Sequence, residues 1–183
     1  MTTDEVLIRL SEGNARFVSD RLRGDLLVTI KRESLINKQE PYAIVLCCSD
    51  SRVVPELIFA TGLGEIFVVG VAGNVASNAS IASIAFAVAY LKTKVIVVMG
   101  HQNCGAVTAA ISGEKNGPYI NQLLSLINPA IAASAKMATV NDVAKMNAKL
   151  TANELKSKSE IIRNAVDNEG VILVSAYYRL DSG

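Results

Sequence analysis

The 183-residue chain reads as an α/β protein, a mostly parallel β-sheet flanked by helices, and two observations lead to that class. Short β-branched apolar runs alternate with longer helical stretches, a pattern that calls for parallel strands joined by helical crossovers. The run Tyr42–Cys47 and, directly after Lys94, the run Val95–Met99 are apolar throughout instead of alternating. Strands of that kind have both faces covered, as in the middle of a parallel sheet.

The elements follow in order. Thr2 and Glu5 have the spacing of a capping box, with Val6, Leu7, Leu10 and Phe17 at roughly helical intervals behind them. A second helical stretch is expected over Leu26–Asn37, before Pro41. Residues 1–40 are thus a helical arm lying on another surface, the domain's own or a partner's, and 41–183 form the α/β domain. Strand 42–48 leads through Asp50-Ser51-Arg52 to a helix near Pro55, where proline at the first turn costs nothing. Thr61-Gly62-Leu63-Gly64 ends that helix, and Ile66–Val71 is the next strand. Gly73, Asn74 and Ser77 open a helix over Ile81–Leu91, which feeds strand 94–99. Helices are expected after Cys104, over Ile120–Lys136 and from about Asn141 to Val166, and Val171–Tyr178 is the last strand.

Composition excludes several functions. With 18 basic and 17 acidic residues there is no electrostatic footprint for nucleic acid or anionic lipid. Five tyrosines, four phenylalanines and no tryptophan make a poor base-stacking platform. The most apolar stretch, Ile81–Leu91, is too short to span a bilayer. Three cysteines, two of them adjacent, do not form a secreted disulfide framework. The N-terminus has no signal-peptide pattern. A cytoplasmic protein is expected, and its excess hydrophobicity is expected to be covered at a subunit interface.

The chemistry concentrates at two strand ends. Cys48-Ser49-Asp50-Ser51-Arg52 follows the first buried run, and His101-Gln102-Asn103-Cys104 follows the other. A cysteine ending a buried strand is usually a small core residue, and a single histidine is more often hydrogen-bonded than a ligand. Finding Cys, Asp, Arg, His and Cys at neighbouring strand ends, where ligands bind in parallel sheets, argues for one site. Two sulfurs and an imidazole suit zinc, with the fourth position left for water, carboxylate or substrate. Cys47 is a poor fourth ligand, because adjacent side chains in a strand point to opposite faces. If Arg52 holds Asp50 by a paired hydrogen bond, Asp50 stays off the metal and serves as a proton acceptor. Released, Asp50 would become the fourth ligand and close the site. The Gly105 N–H, at an expected helix start, is placed to stabilise negative charge.

These residues resemble the signature of the β-class carbonic anhydrases. The likeness runs through Cys48-x-Asp50-Ser51-Arg52, Val53–Phe59, Gly62–Val69, Ala72-Gly73-Asn74, Gly100-His101-x-x-Cys104-Gly105-Ala106-Val107 and the N-terminal Gly13–Phe17. It implies zinc on Cys48, His101 and Cys104, and reversible hydration of carbon dioxide to bicarbonate. It further implies a homodimer or dimer of dimers in which the N-terminal arm packs on a partner subunit. By position it carries over Gln39 as a bicarbonate-binding amide and Phe67 and Phe86 as pocket walls. It departs at Gly70, where many members have arginine, and at Val45, where some bacterial members have tryptophan. An inhibitory bicarbonate pocket built on those two residues is therefore not expected. Two other readings use the same scaffold: hydrolysis of carbon disulfide or carbonyl sulfide, and a non-catalytic zinc-stabilised bicarbonate sensor.

Overall fold

The computed structural model describes residues 1–22 and 29–183, with residues 29 and 30 described by their backbone alone. Helix α1 (Thr3–Val18) and the short α2 (Thr29–Ser34) precede strand β1 (Ala43–Cys47) and the single turn α3 (Pro55–Ile58). Then come β2 (Ile66–Gly70), a 3-10 turn at Ala72–Asn74, α4 (Asn78–Leu91) and β3 (Val95–His101). Helices α5 (Gly105–Ser112), α6 (Pro118–Ser125), α7 (Asn128–Ala133), α8 (Val140–Lys158) and α9 (Glu160–Asn168) lead to β4 (Ile172–Tyr178). All pairings are parallel, in the order β2-β1-β3-β4. From β1 the chain steps outward to β2 and then returns to place β3 on the other side of β1. The strand order therefore reverses between β1 and β3, which makes their carboxyl ends the crevice where ligands bind in such sheets.

Every residue of β1 and β3 is buried, which is why neither run alternates. On one face Ala43, Val45, Cys47, Val95, Val97 and Met99 pack with Val6 and Leu10 of α1. On the other, Ile44, Leu46, Ile96 and Val98 lie under α4, α8 and α9, against Ile84, Val88, Leu155 and Ile162. The capping box of α1 forms as expected: Glu5 N–H donates to Thr2 Oγ1, and Thr2 N–H donates to Glu5 Oε2. The helix lies so close to the domain that a Cβ on Gly13 would sit 1.8 Å from the Phe59 carbonyl oxygen. Within one protomer α1 is thus packed against the sheet and Phe59, through Val6, Leu10 and Gly13.

Several boundaries differ from the sequence expectation. The helix expected over 26–37 is seen as Thr29–Ser34, and residues 26–28 lie outside the described residues. The helix at Pro55 is one turn, ending in Phe59 before Ala60 adopts a positive φ of 44°. Helix α4 begins at Asn78, three residues early, because Ser77 caps it by accepting the Ser80 N–H. Strand β3 extends to His101, held by pairing of His101 with Tyr178 on β4. The stretch 120–136 divides into α6 and α7, the second opening with Pro129. The long amphipathic stretch divides at Ser159, which ends α8 and caps α9 through the Ile162 N–H.

Candidate metal centre

The ends of β1 and β3 deliver the two halves of the site. Cys48 is the first residue past β1, His101 the last of β3, and Cys104 the N-cap of α5 three residues on. The Nε2 or Nδ1 of His101 and the two Sγ atoms lie within 4.8 Å of one another, and all three residues are buried. The sulfurs are 4.0 Å apart. Two thiolates on a tetrahedral zinc, each about 2.3 Å from it, stand about 3.8 Å apart, so the pair already has the right separation. His101 is fully buried, and its Nε2 has no hydrogen-bond partner among the described residues. A buried ring nitrogen left unpaired among two sulfurs is a costly arrangement unless it is a ligand. The donor set fits zinc.

Surrounding groups aim these ligands. The Gly73 N–H donates to Cys48 Sγ at 3.3 Å, and the Gly73 carbonyl accepts from buried Asn147 Nδ2 at 2.7 Å. Position 73 needs glycine: φ is +71°, and a Cβ would meet Ile127 Cδ1 at 2.8 Å. His101 Nδ1 is 2.9 Å from the Gln102 carbonyl, which leaves Nε2 for the metal. The Cys104 thiol lies within hydrogen-bonding reach of Cys48 Sγ. That contact, above all, lowers the Cys48 thiol against the opposing effect of burial. Cys104 is correspondingly pushed up by that same interaction and by burial. Cys47, on the α1 face among Val6, Leu10 and Met99, is pushed up to about 12, chiefly by burial. It points away from the trio, as strand alternation requires.

Asp50 and Arg52 lie at the rim. Arg52 Nε donates to Asp50 Oδ1 at 2.9 Å and Nη2 to Oδ2 at 2.8 Å, with the Arg52 N–H adding a third bond to Oδ1 at 3.0 Å. The guanidinium holds the carboxyl well below the usual carboxylate range. Asp50 Oδ2 is 3.9 Å from His101 Nε2. Gly105 opens α5, and a Cβ there would meet nothing within 4 Å.

Gln39, Phe67 and Phe86, which the resemblance assigns to a substrate pocket, lie elsewhere in the protomer. Gln39 is exposed, ahead of β1 at the amino end of the sheet, in a cleft of about 680 Å³ shared with Leu35, Ile36 and Tyr90. A strand's length separates it from Cys48. Phe86 sits on α4, 46% exposed and stacked on Tyr90 with ring centroids 5.0 Å apart. Phe67 of β2 is half-buried against the core. Gly73 and Asn147 support the site without being among the residues the sequence points to. A glycine just past an apolar run could have flagged the first, but nothing in the sequence marks a buried helical asparagine.

A parallel α/β sheet with two cysteines and a histidine converging at its switch point defines a zinc-binding α/β protein. A family model described as carbonic anhydrase matches residues 43–183. Carbonic anhydrase 2 of Mycobacterium tuberculosis is 34% identical over 180 residues, covering 95% of this chain and 87% of that protein. The carbonic anhydrase of Mycolicibacterium smegmatis is 35% identical over the same shares of each chain. Among solved structures, a Coccomyxa β-carbonic anhydrase in complex with acetazolamide superposes with a TM-score of 0.74 at 25% identity, over 94% of this chain and 82% of that one. A tetrameric β-carbonic anhydrase from Sordaria macrospora shares the fold with a TM-score of 0.73 at 23% identity, over 97% and 93%. The chain belongs to the carbonic anhydrase family, in its β class.

Proposed function

We infer that this chain catalyses the reversible hydration of carbon dioxide to bicarbonate and a proton, with one zinc ion held by Cys48, His101 and Cys104. The observation that carries the reading is the Asp50 carboxyl group, clamped by Arg52 within 3.9 Å of the His101 ring nitrogen. A purely structural metal site has no use for a fixed carboxylate beside an open position. That consideration disfavours the bicarbonate sensor, and the carbonic anhydrase relatives favour carbon dioxide over its sulfur analogues. Zinc, when bound, supplies the Lewis acidity that makes water a nucleophile near neutral pH. Asp50, held as an acceptor, takes a hydrogen bond from the attacking oxygen and aims its lone pair at the substrate carbon. Arg52 keeps both carboxylate oxygens engaged, which prevents Asp50 from becoming a fourth ligand. The Gly105 N–H, at the start of α5, stabilises negative charge on the product oxygens. Stopped-flow hydration of carbon dioxide, with and without a strong zinc chelator, tests the reading. Zinc-dependent hydration is expected, and zinc-loaded protein without it would refute the reading.

A homodimer accounts for the distant pocket residues. Strand β2 is a sheet edge, its residues Ile66–Val69 are only half-buried, and Phe86, Tyr90, Leu57 and Leu63 stand exposed. A two-fold axis perpendicular to β2 at that edge would run the two β2 strands antiparallel. The amino end of one sheet then meets the carboxyl end of the other, and the partner's Gln39 approaches this chain's Cys48. Phe67 and Phe86 wall the same seam. The exposed Ile8 and Val18 of α1 extend the contact along the arm, residues 1–40. Three free cysteines support a reducing, cytoplasmic setting. Among the described residues no helix is long and apolar enough to cross a membrane. Sedimentation that finds a monomer at working concentration would remove the dimer and with it this role for Gln39.

A further inference from the structure

We propose that Gln102 is a positioning residue of the metal centre, through which the turn at residues 178–181 fixes the tautomer of His101; the proposal rests on the zinc reading above. The carbonyl of Gln102 is a pure acceptor, so His101 Nδ1, at 2.9 Å, carries the ring proton and Nε2 keeps its lone pair. If that peptide turned, the fully buried ring would lose its acceptor, and the other tautomer would aim an N–H at the sulfurs instead of a lone pair.

The peptide is prevented from turning by residues distant in sequence. The Gln102 N–H donates to the Tyr178 carbonyl at 2.9 Å. Its side-chain Oε1 accepts from the Leu180 N–H at 2.8 Å and the Asp181 N–H at 3.3 Å, while Nε2 donates to Asp181 Oδ2 at 3.2 Å. Asp181 is itself held by the Arg179 guanidinium through two bonds of 3.0 Å. The next residue is fixed from the opposite side. Asn103, with a φ of 54°, donates its N–H to Asn141 Oδ1 at 2.8 Å, and its carbonyl lies 3.4 Å from Arg52 Nη2. Both residues between the ligands His101 and Cys104 are therefore anchored from outside the loop. Gln102 alone combines that anchoring with direct contact to the ligand ring.

The amide chemistry allows a polarity-swap test. In Gln102→Glu the acceptor for the Leu180 N–H survives, but the donor to Asp181 is lost and two carboxylates face each other. Adding Asp181→Asn returns a donor from the other side. Zinc affinity is measured by competition with a chromophoric chelator, first on the unsubstituted chain, and cobalt absorption bands report the ligand set. Gln102→Glu is expected to weaken zinc by about tenfold, the usual loss when a group supporting a ligand is removed. The double variant is expected to recover most of it. Ser159→Ala, which removes the cap of α9, serves as a control that lowers the melting temperature while leaving zinc affinity alone. Unchanged affinity in Gln102→Glu, no recovery in the double variant, or an equal loss in Ser159→Ala would each overturn the proposal while zinc binding itself stands. An unsubstituted chain that holds no zinc would overturn the zinc reading along with it.

Discussion

Arg52 grips both oxygens of Asp50, at 2.9 Å and 2.8 Å, and so fixes a carboxylate beside the imidazole of His101 that it does not reach. The two-point bond sets the carboxylate plane as well as its distance. Arg52→Ala should therefore release Asp50 toward the metal, leaving zinc content intact while hydration falls by about a hundredfold. Asp50→Asn should keep zinc and lose activity to a similar extent, because the amide presents a donor where an acceptor is needed. Metal analysis alongside stopped-flow rates checks both, and full activity in both variants would reduce the pair to a surface ion pair.

Adjacent cysteines should behave oppositely. Cys48→Ser or His101→Ala removes one of three convergent donors, and metal and activity should be lost together. Cys47→Ser changes a buried thiol on the α1 face, among Val6, Leu10 and Val97. It should retain zinc and activity, with only a modest drop in stability from placing a hydroxyl among apolar groups. Zinc content at full occupancy in Cys48→Ser would remove the ligand assignment.

The site was legible because its residues are close in sequence to recognisable features. Cys48 and His101 end apolar runs that only buried parallel strands explain, and one histidine with two flanking sulfurs leaves few partners for a metal. Element ends were less legible. The reach of β3 to His101 depends on Tyr178, 77 positions later, and such pairing leaves no local mark. The break at Ser159 was written in the sequence as a cap, but the helical periodicity on either side concealed it. Gln39 and Phe86 are a different case. Their place in a pocket came from the family resemblance alone, and the fold sends them to the amino end of the sheet and the flank of α4. Gln102 looked like a spacer between ligands, since the turn that holds it comes from the last strand.

Acid should reveal the capping box on α8. Thr139 Oγ1 accepts the Asp142 N–H, and Asp142 Oδ2 accepts from both the Thr139 N–H and its hydroxyl. The hydroxyl bond, followed by the backbone bond, lowers the Asp142 carboxyl below its ordinary value. A carboxyl depressed by folding adds stability that is complete above its unfolded pKa and is lost as pH falls through the folded one. The contribution should therefore be whole at neutral pH and fade below about pH 4. Thr139→Ala should lower the melting temperature by about 2–4 °C at pH 7, the usual effect of losing a cap in a chain of this size. The gap between variant and parent should narrow on acidification. A gap that stays constant from neutral pH down to the acid limit would show that the carboxylate takes no part in the cap.

Proton export gives the last test. Hydration of carbon dioxide yields one proton per turnover, and a side chain titrating near neutrality relays it best. The chain has a single histidine, His101, and the metal centre takes it. Asp50 is held too acidic by Arg52 to carry a proton at neutral pH. Tyr177, packed against the site cluster, is shifted upward, chiefly by burial, and so further from neutrality. Release must then pass through water to external buffer. Maximal hydration turnover should rise steeply with the concentration of an imidazole-type buffer at fixed pH and ionic strength. Exchange between carbon dioxide and bicarbonate at chemical equilibrium requires no net proton release and should respond far less. A turnover number that stays high and flat down to very dilute buffer would require an internal relay that this set of side chains does not supply.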